Sequence, residues 1–310
     1  MGLIISALEL GGIYAVMALG IYITYKILDF PDLTVDGSFP LGGAITAVMI
    51  QNGTPFGVAM IVSVFAGAVA GMLTGIIHVK FKIRDLLSGI IMMTGLYSVN
   101  YMIAGKANLP IIGKMNTVFS NNIIRTLFGT ASDTGAPLHA IRPYRNIIVL
   151  IIVLAIMKIL LDLFLNTKRG YLLKAMGDNP MVVATLGKNG GNAKIMGLSI
   201  ANAFVAFSGS LFCQYMRAFN LTDGTGKMVI GLASVIIGIN IFGRIKILRS
   251  TTSVIIGSVV YTACVSLALS KFDSDVKNLV TALLFFVILV IGGKSFSAKP
   301  FAGKKSDKNA

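Results

Sequence analysis

An all-α bundle of membrane-spanning helices is the fold class this sequence predicts, and three observations predict it. Of the 310 residues, 55% are hydrophobic and only 13% are charged, against roughly 45–50% and about 25% in soluble domains. Charge-free apolar stretches, each long enough to cross about 30 Å of hydrocarbon, follow one another along the chain. The 27 Lys and Arg outnumber the 12 Asp and Glu, and they collect at the ends of those stretches instead of forming one stripe with aromatic platforms. A soluble globular protein is excluded by the composition, and a nucleic-acid binder by where the charge lies.

The elements follow in order. Residues 3–25 carry one acid, Glu9, and make the first span. That stretch is too long for a signal peptide and lacks a basic leading region and a cleavage site, so the expectation is a retained helix. Residues 37–79 are free of charge but interrupted by Asn52-Gly53-Thr54-Pro55, a turn that divides them into two spans. Further spans occupy 86–105, 146–166, 195–216, 228–243, 250–270 and 278–293, about nine in all. Residues 1–295 thus read as one transmembrane domain, with a long external loop at 106–145, a cytoplasmic loop at 166–194 and a basic, unstructured cytoplasmic tail at 296–310.

Lys and Arg at the span ends set the direction. The segments at 80–84, 168–194, 244–249 and from 294 onward hold sixteen of them, and the opposite set holds nine. The C-terminus is therefore expected in the cytoplasm and the N-terminus outside. A re-entrant element at 29–52 would turn the N-terminus inside and leave the rest in place. Cys213 and Cys264 lie in apolar runs with no partner spacing, which gives neither a disulfide framework nor a metal site.

Three segments stand out. Between the first two spans, residues 28–43 gather Asp29, Asp32 and Asp36 with Pro31 and Pro40. Proline removes backbone donors, and backbone freed at membrane depth must be buried in protein or line a polar cavity. A broken helix near 29–42 is expected, with Thr34, Asp36, Ser38 and Gly42 beside a translocation path. The competing reading is an ordinary turn in which Asp36 caps the second helix. On the third span Gly67, Gly71 and Gly75 recur every four residues, a face that lets another backbone approach. In the 166–194 loop Asn179 suits an N-cap, Pro180 the first helical position, Val182, Val183 and Leu186 an apolar face, and Gly187 the stop. An apolar face in water reads as a docking element for a partner protein; a helix folded back on the bundle or lying in the membrane interface is the alternative.

Other signals fail. Gly293-Lys294-Ser295 imitates the end of a phosphate loop, but position 288 is Ile where that motif needs Gly. His78 and His139 fall on opposite sides of the membrane and read as separate surface residues. Ser208-Gly209-Ser210 lacks the preceding glycine of a nucleophile motif. Lys158 and Asp162, four apart on the fifth span, neutralise each other.

Ala175-Met176-Gly177-Asp178-Asn179-Pro180, with Ala184 and Leu186-Gly187 after it, resembles the cytoplasmic coupling loop of permease subunits in the branched-chain amino acid and ribose group of ABC importers. Gly231 to Gly238 resembles that group's second signature, a glycine-bounded span. The run from Asp29 to Ala44 is closest to the subgroup of tryptophan/tyrosine-type permeases. The resemblance covers residues 1 to about 295. It implies a permease that pairs with a second copy, two cytoplasmic ATP-binding subunits docked at the coupling helix, an extracellular substrate-binding protein, and a membrane-lipid setting. ATP and Mg²⁺ would be bound by the partner and no cofactor by this chain. Gly231, Ser234 and Gly238 join the expected path. Asp36-Gly37-Ser38 before Gly42 also has a counterpart in Asp223-Gly224-Thr225 before Gly231, a sign that the two halves are related.

The expected function is inward, ATP-driven translocation of a small polar solute, an amino acid with aromatic ones favoured, by a chain that is not itself an enzyme. The rival is an ion-coupled secondary transporter in which Asp29, Asp32 or Asp36 carries the coupling ion. A lipid-modifying membrane enzyme has no convergent nucleophile, metal or carboxylate cluster to support it.

Overall fold

A computed structural model of the chain describes residues 2–111, 116–120, 144–185, 187, 190–243, 249–269, 283 and 286. The expected span at 278–293, the tail at 296–310, most of the 106–145 loop, His139, Leu186 and Gly293-Lys294-Ser295 lie outside the described residues, apart from positions 283 and 286.

The fold is a polytopic helical bundle. Helix α1, Gly2–Ile21, continues into a π-helical turn, Tyr22–Ile27; α2 is Val35–Gln51, α3 Phe56–Lys80 and α4 Asp85–Ala104. After a short strand, β1 (Asn108–Pro110), come α5 (Arg145–Leu165), α6 (Lys168–Asp178), α7 (Pro180–Thr185) and α8 (Gly190–Met216). Strand β2 (Ala218–Asn220), a 3₁₀ turn (Leu221–Gly224), α9 (Lys227–Ile237) with a π turn (Gly238–Phe242), and α10 (Ser250–Leu269) complete the described chain. Seven of the described helical segments are long and apolar enough to cross a membrane.

Helix α8 is the hub against which α1, α2 and α3 pack. Glycine makes this closeness possible. A Cβ on Gly67 or Gly71 would run into the Asn202 or Leu198 carbonyl, and one on Gly75 would lie 2.7 Å from the Ile195 Cα, so the four-residue repeat on α3 is a packing face for α8. Gly42 of α2 meets the Ala206 carbonyl in the same way, and Gly209 of α8 meets that of Phe39.

Two ends of the bundle are distinct. At one end β1 pairs antiparallel with β2, and the Gln51 side chain donates to the Pro110 carbonyl at 2.8 Å. Glu9 of α1 belongs to this ribbon end, accepting from the Tyr215 hydroxyl at 2.8 Å. At the other end sit α6 and α7, with Gly177 of α6 pressed on the Ile27 carbonyl. Helix α1 thus runs from the ribbon end to the α6 end, and α2 returns to the ribbon.

The break between α1 and α2 is narrower than the proline spacing suggests. It covers residues 28–34, with Asp29 left-handed at φ +52°, whereas Pro40 lies inside α2. Pro40 cannot bond the Asp36 carbonyl four residues earlier. Gly224 packs on that carbonyl and on the proline ring, where a Cβ would lie 2.7 Å from the ring's Cδ. A bare glycine backbone leaves room for the ring, so the helix survives one missing bond near its start.

Candidate functional site

The two halves of the chain meet inside the bundle. Helix α2 does not begin at a membrane face: the Ser38 hydroxyl bonds the Asn202 side-chain oxygen, and Asn202 lies twelve residues into α8, about 18 Å along its axis at 1.5 Å per residue. Helix α9 begins at the same depth, because β2 and the 3₁₀ turn descend from the ribbon end to place Gly224 on Asp36. From this shared level α2 runs to the ribbon and α9 runs the opposite way, towards α10, whose first turn lies beside the end of α5. Two helix N-termini therefore face one another.

Carboxylates occupy this junction. Asp36 accepts from the Gly226 backbone N–H at 3.0 Å and the Met228 N–H at 2.7 Å, so it caps α9 from another helix. The reading in which Asp36 caps its own helix is corrected: Thr34 stands at that cap, and the Asp36 side chain reaches across because α9 would otherwise start with unsatisfied donors in an apolar bundle. Asp32, fully buried, serves α2 in its place. One oxygen accepts from the Thr34 N–H at 2.9 Å and the other from the Asn202 amide at 2.7 Å. The motif pair found in the sequence, Asp36-Gly37-Ser38 and Asp223-Gly224-Thr225, is in contact.

Lys227 is a residue that the sequence reading missed. One of the nine charges set opposite the cytoplasmic group, it is buried at the first position of α9. Its ammonium donates to the Tyr14 hydroxyl at 2.8 Å and lies 4.6, 5.1 and 4.8 Å from the ring centroids of Tyr14, Phe39 and Phe212. Three rings from α1, α2 and α8 converge on one cation, a geometry in which each quadrupole attracts the charge. The available signal was a lysine directly against an apolar run, four residues after Asp223. Asn202 was also missed; it is an amide inside a charge-free stretch, and such a residue must find partners within the protein.

A ladder of buried polar side chains continues along α2 and α8. Thr34 shares a hydrogen bond with Thr74 at 2.9 Å, Thr46 with Ser63 at 2.9 Å, and Thr46 donates to Ser210 at 2.7 Å. Beyond them Gln214 accepts from the Val118 N–H at 2.9 Å.

The expected path residues divide into two groups. Thr34, Asp36 and Ser38 come together at the junction, and Gly42 lies one turn above on the α8 face. Gly231, Ser234 and Gly238 lie along α9 on faces covered by other helices: Gly231 abuts Ile21, Gly238 abuts Ser253, and the Ser234 hydroxyl bonds the Ile230 carbonyl at 2.8 Å. Thr34, Ser38 and Ser234 are completely buried. Asp36 is half-buried.

Around the loop, Asn179 accepts from the Met181 N–H at 3.0 Å with Pro180 between them, and Gly187 is left-handed at φ +66°, the cap and stop expected. Val183 departs from expectation. It is 1% exposed, near Gly190 at the start of α8, because the six-residue helix folds back on α6 and α8. Met181, 77% exposed, is the outward apolar residue. His78 is likewise more tied down than a surface histidine: its Nδ1 lies 2.8 Å from the Ile83 carbonyl and its Nε2 3.1 Å from the Lys194 ammonium. Lys158 pairs with Asp162 at 3.0 Å as expected, and Asp162 also receives Arg249 at 3.3 Å and Thr251 at 2.8 Å, which ties α5 to the start of α10.

The chain is 40% identical over 298 residues to a tyrosine transport system permease protein of Clostridioides difficile, covering 96% of this chain and 93% of that one. It is 30% identical over 296 residues, 93% of this chain and 97% of the relative, to an uncharacterized protein of Rickettsia prowazekii. A ribose import permease protein of Escherichia coli is 25% identical over 233 residues, 75% of this chain and 68% of its own. No solved structure matches the chain. Residues 3–291 match the family described as the permease component of branched-chain amino acid transport systems. A helical bundle with seven described candidate spans, matched to that family over almost its whole length, makes this chain a multi-pass membrane permease that belongs to the branched-chain amino acid transport permease family.

Proposed function

We propose that the chain is the translocation subunit of an ATP-driven importer for an aromatic amino acid, tyrosine in the first instance. The observation that carries the ATP-driven part is α7, a separately capped helix that lies with the short, basic α6 between the long apolar helices α5 and α8 and presents Met181 outward. The substrate class rests on the tyrosine transport permease to which the chain is 40% identical. In this reading the α6 end is cytoplasmic and the segment that carries Asn179, Pro180, Val182, Val183, Leu186 and Gly187 seats a separate ATP-binding subunit that supplies ATP and Mg²⁺. Helix α1 starts at the opposite end, which supports an external N-terminus, and the basic tail after residue 295 then follows a cytoplasmic end. The protein assembles as a pair of permeases with an external substrate-binding protein.

Proteoliposomes carrying the permease assembled with its ATP-binding subunits should take up labelled tyrosine only with internal or external ATP on the subunits' side, and should continue when proton and sodium gradients are collapsed. Met181→Asp should remove most of the bound ATP-binding subunit from the purified complex and most uptake with it, since a charge replaces the one well-exposed apolar contact described on α7. Gradient-driven uptake without ATP would establish the ion-coupled rival.

The path is proposed to run beside the Asp36 junction, with Thr34, Ser38, Gly42, Gly231, Ser234 and Gly238 at the helix crossings that open and close. Ser38→Cys, in a chain lacking Cys213 and Cys264, should resist a membrane-impermeant thiol reagent at rest, because position 38 is sealed against α8. Trapping ATP on the assembled complex should raise labelling severalfold. Equal labelling in both states would remove the junction from the path.

A further inference from the structure

A groove of about 570 Å³ opens between α3, α6 and α8, a volume within the range of about 300–1,000 Å³ typical of small-molecule sites. Its lining is graded. Arg169 and Asn192 stand at the α6 end, and Met72, Leu172, Ile195 and Ile200 form its walls. Arg169 and Asn192 are near the first residues of α6 and α8, while Met72 and Ile200 lie eight to ten residues inward from the helix ends, about 12–15 Å deeper at helical rise. One end of the groove is therefore polar and level with the helix starts, as at the edge of a bilayer, and the deeper part is walled mainly by apolar side chains along spanning helices. Arg169 is exposed, and among the described residues the carboxylates engage Lys158 and Arg249 but not Arg169. Among the described residues no acid lines the groove.

We propose that this groove binds one anionic phospholipid, its phosphate against Arg169 and Asn192 and an acyl chain along Met72, Leu172, Ile195 and Ile200. Charge complementarity selects this occupant. An unpaired guanidinium at the interface matches a phosphate in shape and sign, and the apolar walls match a tail that is already in the same layer. The formal charge of +15 adds a general attraction to anionic headgroups. The proposal holds whichever leaflet the α6 end occupies, so it stands apart from the transport reading.

Native mass spectrometry of the intact permease in detergent, with phosphatidylglycerol and phosphatidylcholine of identical chains supplied in equal amounts, tests it. One phosphatidylglycerol should be retained in preference to phosphatidylcholine and should raise the thermal unfolding midpoint. Arg169→Gln should weaken retention about fivefold and abolish the lipid-dependent shift. Met196→Trp, which fills the groove wall and leaves the charge in place, should do the same, so the test does not depend on one variant folding. Equal retention of the two lipids, unchanged retention in both variants, displacement of the lipid by millimolar inorganic phosphate alone, or efficient disulfide cross-linking of two copies through Met196→Cys in native membranes would each overturn the proposal.

Discussion

Asp36→Ala should lower the stability of the permease by about 3 kcal/mol, as two charge-assisted hydrogen bonds to part-buried backbone donors are lost together. The same change removes one of the two carboxylates whose charge reaches the Lys227 ammonium, Asp223 being the other. In a chain already carrying Lys227→Met the loss should be smaller by about 1–2 kcal/mol, because the cation that Asp36 balances is gone and the three rings around it accept an apolar side chain. Denaturant midpoints of the four proteins of this cycle, purified in one detergent, give the coupling directly. Strict additivity would leave Asp36 as a helix cap with no electrostatic tie to Lys227.

Gly42→Ala is expected to be at least as severe, about 3 kcal/mol or more. The added methyl would meet the carbonyl of Ala206, which is backbone and cannot rotate aside, so α2 and α8 must separate along their whole crossing. Separation also pulls apart Ser38 from Asn202 and Thr46 from Ser210. Gly95→Ala, whose new methyl meets nothing within 4 Å on α4, should be neutral or slightly stabilising. Monodispersity on size exclusion and the thermal midpoint of the two variants make the comparison. Equal behaviour would mean that the α2–α8 crossing is less tight than its carbonyl contacts indicate.

Seven of the described segments could be read as spans because each is a local property, about twenty apolar residues in a row. The expected span from residue 37 is α2, whose 17 residues begin inside the bundle and are not among the seven, because where it starts depends on the break before it. The cap at Asn179 and the stop at Gly187 were legible as the seven spans were, since each depends on neighbours within a few residues. The glycines on α3 were legible as a packing face but not as a face for α8, because periodicity names a stripe and not its partner. Asp36 shows the limit most clearly. Its position before an apolar run fits a local cap, yet its carboxylate caps a helix 190 residues later, and the choice depends on where two breaks in the chain meet. Pro40 failed for a related reason: a proline breaks a helix only if the carbonyl it abandons has no compensating environment, and that environment is Gly224. Val183 was placed on an outward face by helical spacing alone, but which side of a six-residue helix turns to the bundle is set by its contacts with α6 and α8.

The opposed starts of α2 and α9 have an electrical consequence. Each helix carries a dipole equivalent to roughly half an elementary charge at either end, and here the two positive ends share one level while the negative ends point to opposite faces of the membrane. Their axial moments oppose, so the pair behaves as a quadrupole along the bilayer normal. A field across the membrane does about 2.3 kcal/mol of work per elementary charge per 100 mV on a moving charge, but on two opposed dipoles its contributions largely cancel. The backbone dipoles of α2 and α9 therefore couple weakly to membrane voltage as a pair, which leaves the side-chain charges at their junction, Asp36 and Lys227 among them, as what the field can act on.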